Sequence, residues 1–276
     1  MPELPEVEHV VRGLRRAVLG RRILAAELNL PRLLAAPSSA SFKRKLRGPR
    51  IDAINRRGKY ILFELDSGDV LLVHLRMTGK FLCINQDEPL PLYPHVVFYL
   101  DDDRRLVFSD MRQFGRLRLV SAGKLSALPQ IESLAPEPLT SDFSFAYFLE
   151  TLSRSSRSLK QLLLDQTKVL GLGNIYASEA LFLARISPFK AAHSLSKARA
   201  LRLHQAIRDI LAEAIAAGST LRIDLTDGGG NYIGTTERFW RVYEREGEPC
   251  VNCGTRIRRA VQGGRSTYYC PKCQRS

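Results

Sequence analysis

Val7, Val10, Val11, Leu14 and Val18 recur at helical spacing and Gly20 follows them, so the chain opens on an amphipathic helix with a glycine stop. Pro5 falls in the first turn of that helix, where a missing N–H is tolerated. Short alternating runs follow at 23–28, 51–56, 60–65, 70–75, 96–100, 106–108 and 117–120. Asp66-Ser67-Gly68-Asp69 and Asp101-Asp102-Asp103 punctuate them as turns, and this half reads as an antiparallel sandwich or barrel. Residues 128–140 carry Pro129, Pro136 and Pro138 and read as a linker. Helical patterns then dominate from Phe143 to Ala217, with helices expected at 159–165, 174–186 and 196–217. A glycine-rich stretch, Asp227-Gly228-Gly229-Gly230-Asn231, precedes a short basic tail. No internal repeat is visible.

A length of 276 residues agrees with two domains of α+β class. The expected division is 1–128 for an N-terminal helix and β-sandwich, 129–142 for the linker, 143–248 for a helical domain and 249–276 for the tail. No run of 18 apolar residues is present, and the acidic, proline-containing start Met1–Glu6 is unlike a signal peptide. A cytoplasmic protein is the expectation.

Charge adds a partner. Lys and Arg number 42 against 28 Asp and Glu, a net +14. Residues 1–60 hold 14 basic and 5 acidic side chains, and residues 249–276 hold 6 and none, while the middle is nearly balanced. A surplus gathered at the two ends suggests a polyanion.

Four of the five cysteines stand in the last 27 residues as Cys250-x2-Cys253 and Cys270-x2-Cys273. Two close pairs separated by a hairpin-length segment are the pattern of a four-thiolate zinc site, closed and therefore structural. Strands at 256–261 and 266–270 would flank the turn Gln262-Gly263-Gly264-Arg265. Such a tail has too little apolar surface to fold alone, so the metal supplies folding energy. Arg265 could reach a phosphate from that turn or simply be solvated. Cys83 is unpaired and reads as a packing residue of the sheet half.

Pro2, Glu3 and Glu6 open the first helix, where acids suit the helix dipole. With Met1 removed, Pro2 would present a secondary amine that can attack a sugar C1′, expel a base as an imine forms and lead to strand scission by elimination. Glu3 beside it could move protons.

With Pro2–Glu8 (PELPEVE), Arg57-Gly58-Lys59-Tyr60, His74-Leu75-Arg76-Met77-Thr78-Gly79, Asp110–Gly115, 134–139 (LAPEPL), 171–179 (GLGNIYASE) and the cysteine tail in order, the chain resembles the bacterial formamidopyrimidine-DNA glycosylases from end to end. That family excises 8-oxoguanine and ring-opened purines from double-stranded DNA. The resemblance implies Pro2 as Schiff-base nucleophile, Glu3 as its acid–base partner, Glu6 as a supporting carboxylate and Lys59 as a contact to the phosphate beside the lesion. It implies a DNA-facing set of His74, Met77, Arg112, Phe114, Lys160, Asn174, Tyr176 and Arg265. Met77, Arg112 and Phe114 would fill the hole left by a flipped base. Taken without the family, Met77 and Phe114 would read as sheet core and Arg112 as a solvated charge.

The segment 159–186 resembles the family's helix–two-turn–helix, with Gly171 and Gly173 allowing the reversal and Asn174 at a helix start suited to a phosphate. Residues 218–234 correspond to its lesion-recognition loop. Arg76, Met111, Gln113 and Glu244 depart from the family pattern, and the loop keeps Gly218-Ser219-Thr220-Leu221 but diverges after it. The implied activity is a bifunctional glycosylase and AP lyase working as a monomer. The alternatives are an endonuclease VIII-like enzyme for oxidised pyrimidines, against which Leu4 and the Met77, Arg112 and Phe114 set speak, and a catalytically silent DNA binder, against which the joint presence of Pro2, Glu3 and Lys59 speaks.

Overall fold

The computed structural model describes residues 1–218 and 240–275, together with the backbone of two short strands, β10 (Leu221–Arg222) and β11 (Ile233–Gly234). The expected lesion-recognition loop at 218–234 otherwise lies outside the described residues. Two compact units are formed: Met1–Glu132 is the body of the first, and Ser133–Ala217 with residues 240–275 make up the second.

In the first unit, α1 (Leu4–Val18) is followed by nine strands: β1 (Ile23–Leu28), β2 (Leu34–Ala36), β3 (Ile51–Arg57), β4 (Tyr60–Leu65), β5 (Asp69–His74), β6 (Gly79–Asn85), β7 (Pro94–Leu100), β8 (Arg104–Asp110) and β9 (Arg116–Ser121). They form a four-stranded sheet in the order β1-β7-β8-β6 and a five-stranded sheet in the order β2-β9-β5-β4-β3. All pairings are antiparallel except β2 with β9. The inner faces meet in one core that takes Val7, Val11 and Leu14 from α1, Phe63 and Val73 from one sheet, and Phe81, Phe98 and Phe108 from the other. This is the α+β sandwich that the alternating runs predict.

Two of these strands are absent from the sequence reading, the three-residue β2 and the longer β6. Along β6, Phe81 and Cys83 enter the main core while Leu82 and Ile84 join a second cluster with Val97 and Val107 on the opposite face. With both faces covered, the segment lacks the apolar–polar alternation that marks a half-exposed strand. Cys83 packs as expected, 3% exposed, and burial pushes its thiol pKa up.

The second unit contains α5 (Phe145–Ser153), α6 (Leu159–Leu163), α7 (Asn174–Leu183) and α8 (Lys197–Ala216), numbered after the short α2 (Ser39–Lys45), α3 (Ala122–Leu125) and α4 (Pro129–Glu132) of the first unit. Helix α7 ends before the expected Ile186 because Arg185 adopts φ +58°, which stops the helical path. The tail forms an antiparallel hairpin of β12 (Arg258–Gln262) and β13 (Arg265–Tyr269). Gly263 and Gly264, at φ +54° and +74°, make its two-residue turn. Among the described residues, no helix is long and apolar enough to cross a membrane.

Candidate active site and metal centre

Helix α1 begins in a reciprocal capping box. The Glu3 N–H donates to Glu6 Oε2 at 2.8 Å, and the Glu3 carboxylate accepts the Glu6 N–H. Glu3 and Glu6 are each 2% exposed, and Pro2 is buried beside them. Two backbone donors that a helix start would otherwise leave to water are thus satisfied, and the residue preceding Glu3 enters from a fixed direction.

The body of α1 is tied to β3. Arg15 Nε donates to Ile54 O at 2.7 Å, and Arg56 Nε donates to Glu8 Oε2 at 3.0 Å. Burial would raise the Glu8 carboxyl pKa, but Arg56 and Arg12 outweigh it and hold the group below its ordinary value. Strand β3 turns into β4 through Gly58-Lys59, with Arg57 opposite Tyr60. Gly58 sits at φ +57°, a conformation glycine adopts without strain, and this tight turn carries Lys59 at its tip, 5% exposed.

Across the sheet, Tyr60 pairs with His74 at the end of β5, and their rings meet edge-on with centroids 4.8 Å apart. His74 Nδ1 accepts the Arg76 N–H at 3.0 Å, so the ring is neutral with its proton on Nε2. Burial first, then the positive charges of Arg76 and Lys59, push its pKa down to about 3.

Patterning alone places Met77 and Phe114 in the core, and the structure corrects that reading: they are 43% and 49% exposed. They stand on two loops that the pairing of Gly79 with Asp110 brings side by side. Asp110, fully buried, binds the loops together. Its carboxylate accepts the Thr78 hydroxyl, the Arg112 N–H at 3.3 Å and the Gly115 N–H at 2.7 Å. The Arg112 N–H also reaches Thr78 Oγ1 at 3.1 Å. Arg112 is not merely solvated; its guanidinium lies 5.0 Å from the Phe114 ring centroid. Gly115 is required by space, since a Cβ there would lie 2.6 Å from Phe108 Cζ. The three tips therefore form one exposed group on a rigid base. Asp110 was missed as a functional support because an acid at a strand end reads as a surface residue.

In the second unit, Gln166 organises the reversal between α6 and α7. Its Nε2 donates to Leu164 O and Leu172 O at 3.0 and 2.9 Å, and its Oε1 accepts the Gly171 N–H at 3.0 Å. Gly171 takes φ +85°. Asn174 is the first residue of α7, and its Oδ1 is buried with no hydrogen-bond partner among the described residues. Lys160 and Tyr176, expected at the DNA, lie under the surface at 1% and 0% exposure. Lys160 Nζ donates to Ser266 O at 2.7 Å and Thr267 Oγ1 at 3.0 Å, fastening the hairpin to α6, while Tyr176 packs edge-on to Trp240. The hairpin presents Arg265 exposed at the start of β13. Glu179, another residue that sequence reasoning left without a role, is fully buried and accepts the N–H groups of Arg241, Val242 and Tyr243 at 3.0, 2.9 and 3.0 Å.

The sulfurs of Cys250, Cys253, Cys270 and Cys273 all lie within 4.8 Å of one another. Zinc–sulfur bonds of about 2.3 Å in a tetrahedron require sulfur–sulfur edges of about 3.8 Å. The Cys250–Cys273 and Cys253–Cys270 separations are 3.9 and 3.6 Å, so the residues fit one zinc ion. Without a cation, burial and then the neighbouring sulfurs push the Cys273 thiol up to about 12. Four thiolates can share this volume only around a positive ion. The donor set is complete in protein sulfur, which makes the centre structural.

Family models agree with this architecture along the chain. The formamidopyrimidine-DNA glycosylase N-terminal domain matches residues 1–117, the formamidopyrimidine-DNA glycosylase H2TH domain matches residues 134–224, and the zinc finger found in FPG and IleRS matches residues 247–275. The formamidopyrimidine-DNA glycosylase of Pelotomaculum thermopropionicum is 45% identical over 276 residues, covering 100% of this chain and 99% of its own length. That of Heliobacterium modesticaldum is 44% identical, with both chains fully covered. Among solved structures, Lactococcus lactis Fpg in complex with abasic-site DNA superposes with a TM-score of 0.91 at 36% identity, over 99% of this chain and 100% of that one. The same Lactococcus enzyme with a FAPY-dG-containing DNA also gives 0.91 at 36% identity, with the same coverage. With this likeness extending over its whole length, the chain belongs to the formamidopyrimidine-DNA glycosylase family.

Proposed function

We propose that this protein is a base-excision-repair enzyme, a DNA glycosylase with AP lyase activity that removes 8-oxoguanine and formamidopyrimidines from double-stranded DNA. The observation that carries the reading is the capping box at the start of α1, which holds Pro2 beside two buried carboxylates. Once Met1 is cleaved, the Pro2 nitrogen is a secondary amine with a free lone pair. It bonds to the sugar C1′ as the bond from C1′ to the base breaks, and the departing base takes up a proton. The amine then loses its proton and the C1′–O4′ bond opens, with O4′ taking up a proton, to leave an iminium that acidifies C2′; loss of the C2′ proton expels the 3′-phosphate by β-elimination, and δ-elimination then releases the 5′-phosphate. Glu3 transfers protons in these steps, Glu6 keeps Glu3 in place, and Lys59 and His74 hold the phosphate beside the lesion.

Met77, Arg112 and Phe114 occupy the gap in the duplex, with Arg112 facing the orphaned base. Asn174 and Arg265 grip flanking phosphates, and Lys160 and Tyr176 act from beneath them by fixing the hairpin and α7. A zinc ion bound by the four cysteines supplies folding energy to the hairpin that carries Arg265. The functional division is 1–128, a linker at 129–142, 143–248 and 249–276, with residues 218–234 serving lesion recognition. The enzyme works in the cytoplasm as a monomer.

The test uses protein verified to begin at Pro2, duplexes with 8-oxoguanine, a ring-opened purine or an oxidised pyrimidine, and borohydride reduction. A covalent adduct on the two purine lesions is expected. An adduct on the pyrimidine alone would transfer the chain to the endonuclease VIII type of substrate, and no adduct at all would leave only a DNA binder.

A further inference from the structure

The outer face of the five-stranded sheet carries a second basic feature, beside the loop that bears Met77. In the pairing of β5 with β9, Leu72 lies opposite Arg118 and His74 opposite Arg116. Residues two apart on a strand share a face, so Arg116 and Arg118 project on the same side as His74. With Arg76, Tyr60 and Gln130 they line a cavity of about 200 Å³. No carboxylate lines it, and none of the three arginines makes an ion pair among the described residues. Among the described residues, Arg118 Nε is buried with no hydrogen-bond partner, and the Arg116 guanidinium has only the carbonyl of Gly115, at 3.0 Å from Nη1. Because His74 Nδ1 already accepts the Arg76 N–H, the ring's other nitrogen is a donor.

Three guanidiniums around one cavity repel one another unless an anion lies between them, and guanidinium donors match phosphate oxygens in pairs. The cavity is smaller than the roughly 300–1,000 Å³ of small-molecule sites, which suits a phosphate group rather than a nucleotide. We propose that Arg76, Arg116 and Arg118 form a phosphate-binding site on the outer sheet face, bordering His74 and built from three arginines that have no part in the lesion site described above. Where the phosphate is part of a duplex, the proposal rests on the DNA-repair reading above; a free inorganic phosphate does not depend on it.

Two measurements on the full, zinc-loaded chain test the site. In the first, affinity for an abasic-analogue duplex is followed against salt for the wild type, Arg116→Gln, and Arg116→Gln/Arg118→Gln. Loss of one phosphate contact reduces the slope of log affinity against log salt by about 1. Arg154→Gln, a charge-matched change on a surface arginine paired with Glu150, serves as control. In the second, the unfolding midpoint is compared in phosphate and in chloride at equal ionic strength.

A shallower slope specific to the Arg116 and Arg118 variants, with borohydride trapping at saturating protein unchanged, assigns a duplex phosphate. A phosphate-dependent rise in midpoint that the variants lose, with unchanged slopes, assigns free phosphate to the same site. Unchanged slope and unchanged midpoint in the exposed Arg116→Gln variant and in the double variant overturn the proposal, as does an equal slope change in Arg154→Gln. Failure of the wild type to trap any duplex would instead count against the repair reading, while the midpoint comparison would still judge the site.

Discussion

Asp110 and Glu179 are both fully buried carboxylates satisfied largely by backbone N–H groups, yet they hold the chain over different distances. Asp110 collects donors from Arg112 and Gly115, a few residues away, and from Thr78 on the loop beside it. Glu179 collects Arg241, Val242 and Tyr243, more than sixty positions further along. The first shapes a surface, fixing where three exposed tips stand. The second shapes the course of the chain, delivering it from α7 toward the metal hairpin. A buried polar side chain is tolerated in either place because hydrogen-bond donors meet it there.

Removing the long-range acid is expected to have the larger effect on folding. Glu179→Ala leaves three converging backbone donors without an acceptor and should lower stability by about 3–5 kcal/mol in denaturant titration. A loss below about 1 kcal/mol would show that water replaces the carboxylate and that the two acids do not differ as described. Asp110→Asn should cost less, about 1–3 kcal/mol, since one amide oxygen still accepts. Its principal effect should be on borohydride trapping of 8-oxoguanine duplex at fixed protein concentration, which is expected to fall at least tenfold as the tips lose their common base. A variant as unstable as Glu179→Ala that still traps at the wild-type level would break the comparison from the other side.

The third effect appears only in acid and concerns His74, on the sheet beside those tips. Its folded pKa of about 3 lies below its ordinary 6.5, so the unfolded chain binds the proton first. Stability should decline as pH falls from about 6.5 toward 3, with a slope of at most one proton, and His74→Gln should remove that component. Thermal midpoints across this range that are identical in slope for variant and wild type would show that the ring does not contribute.

The sequence was legible wherever one face of an element meets water. The spacing of Val7 to Val18 and the alternation in β3 and β9 mark half-buried elements, and the cysteine pairs mark the metal centre by spacing alone. β6 was illegible because both its faces are covered. Met77 and Phe114 were misread by pattern because apolar side chains stand at exposed tips, and only the family resemblance singled them out. Asp110, Gln166 and Glu179 look like ordinary surface residues in sequence; what distinguishes them is the set of backbone donors that folding gathers around them.

The bonds from Arg15 to Ile54 and from Arg56 to Glu8 couple α1 to the strand that ends in the Lys59 turn. Their consequence is mechanical. Helix start and turn tip are borne by one braced frame, so thermal motion carries them together, and their separation fluctuates less than either position does. Reactivity that depends on the distance between those two points is thereby insulated from the breathing of the sandwich as a whole.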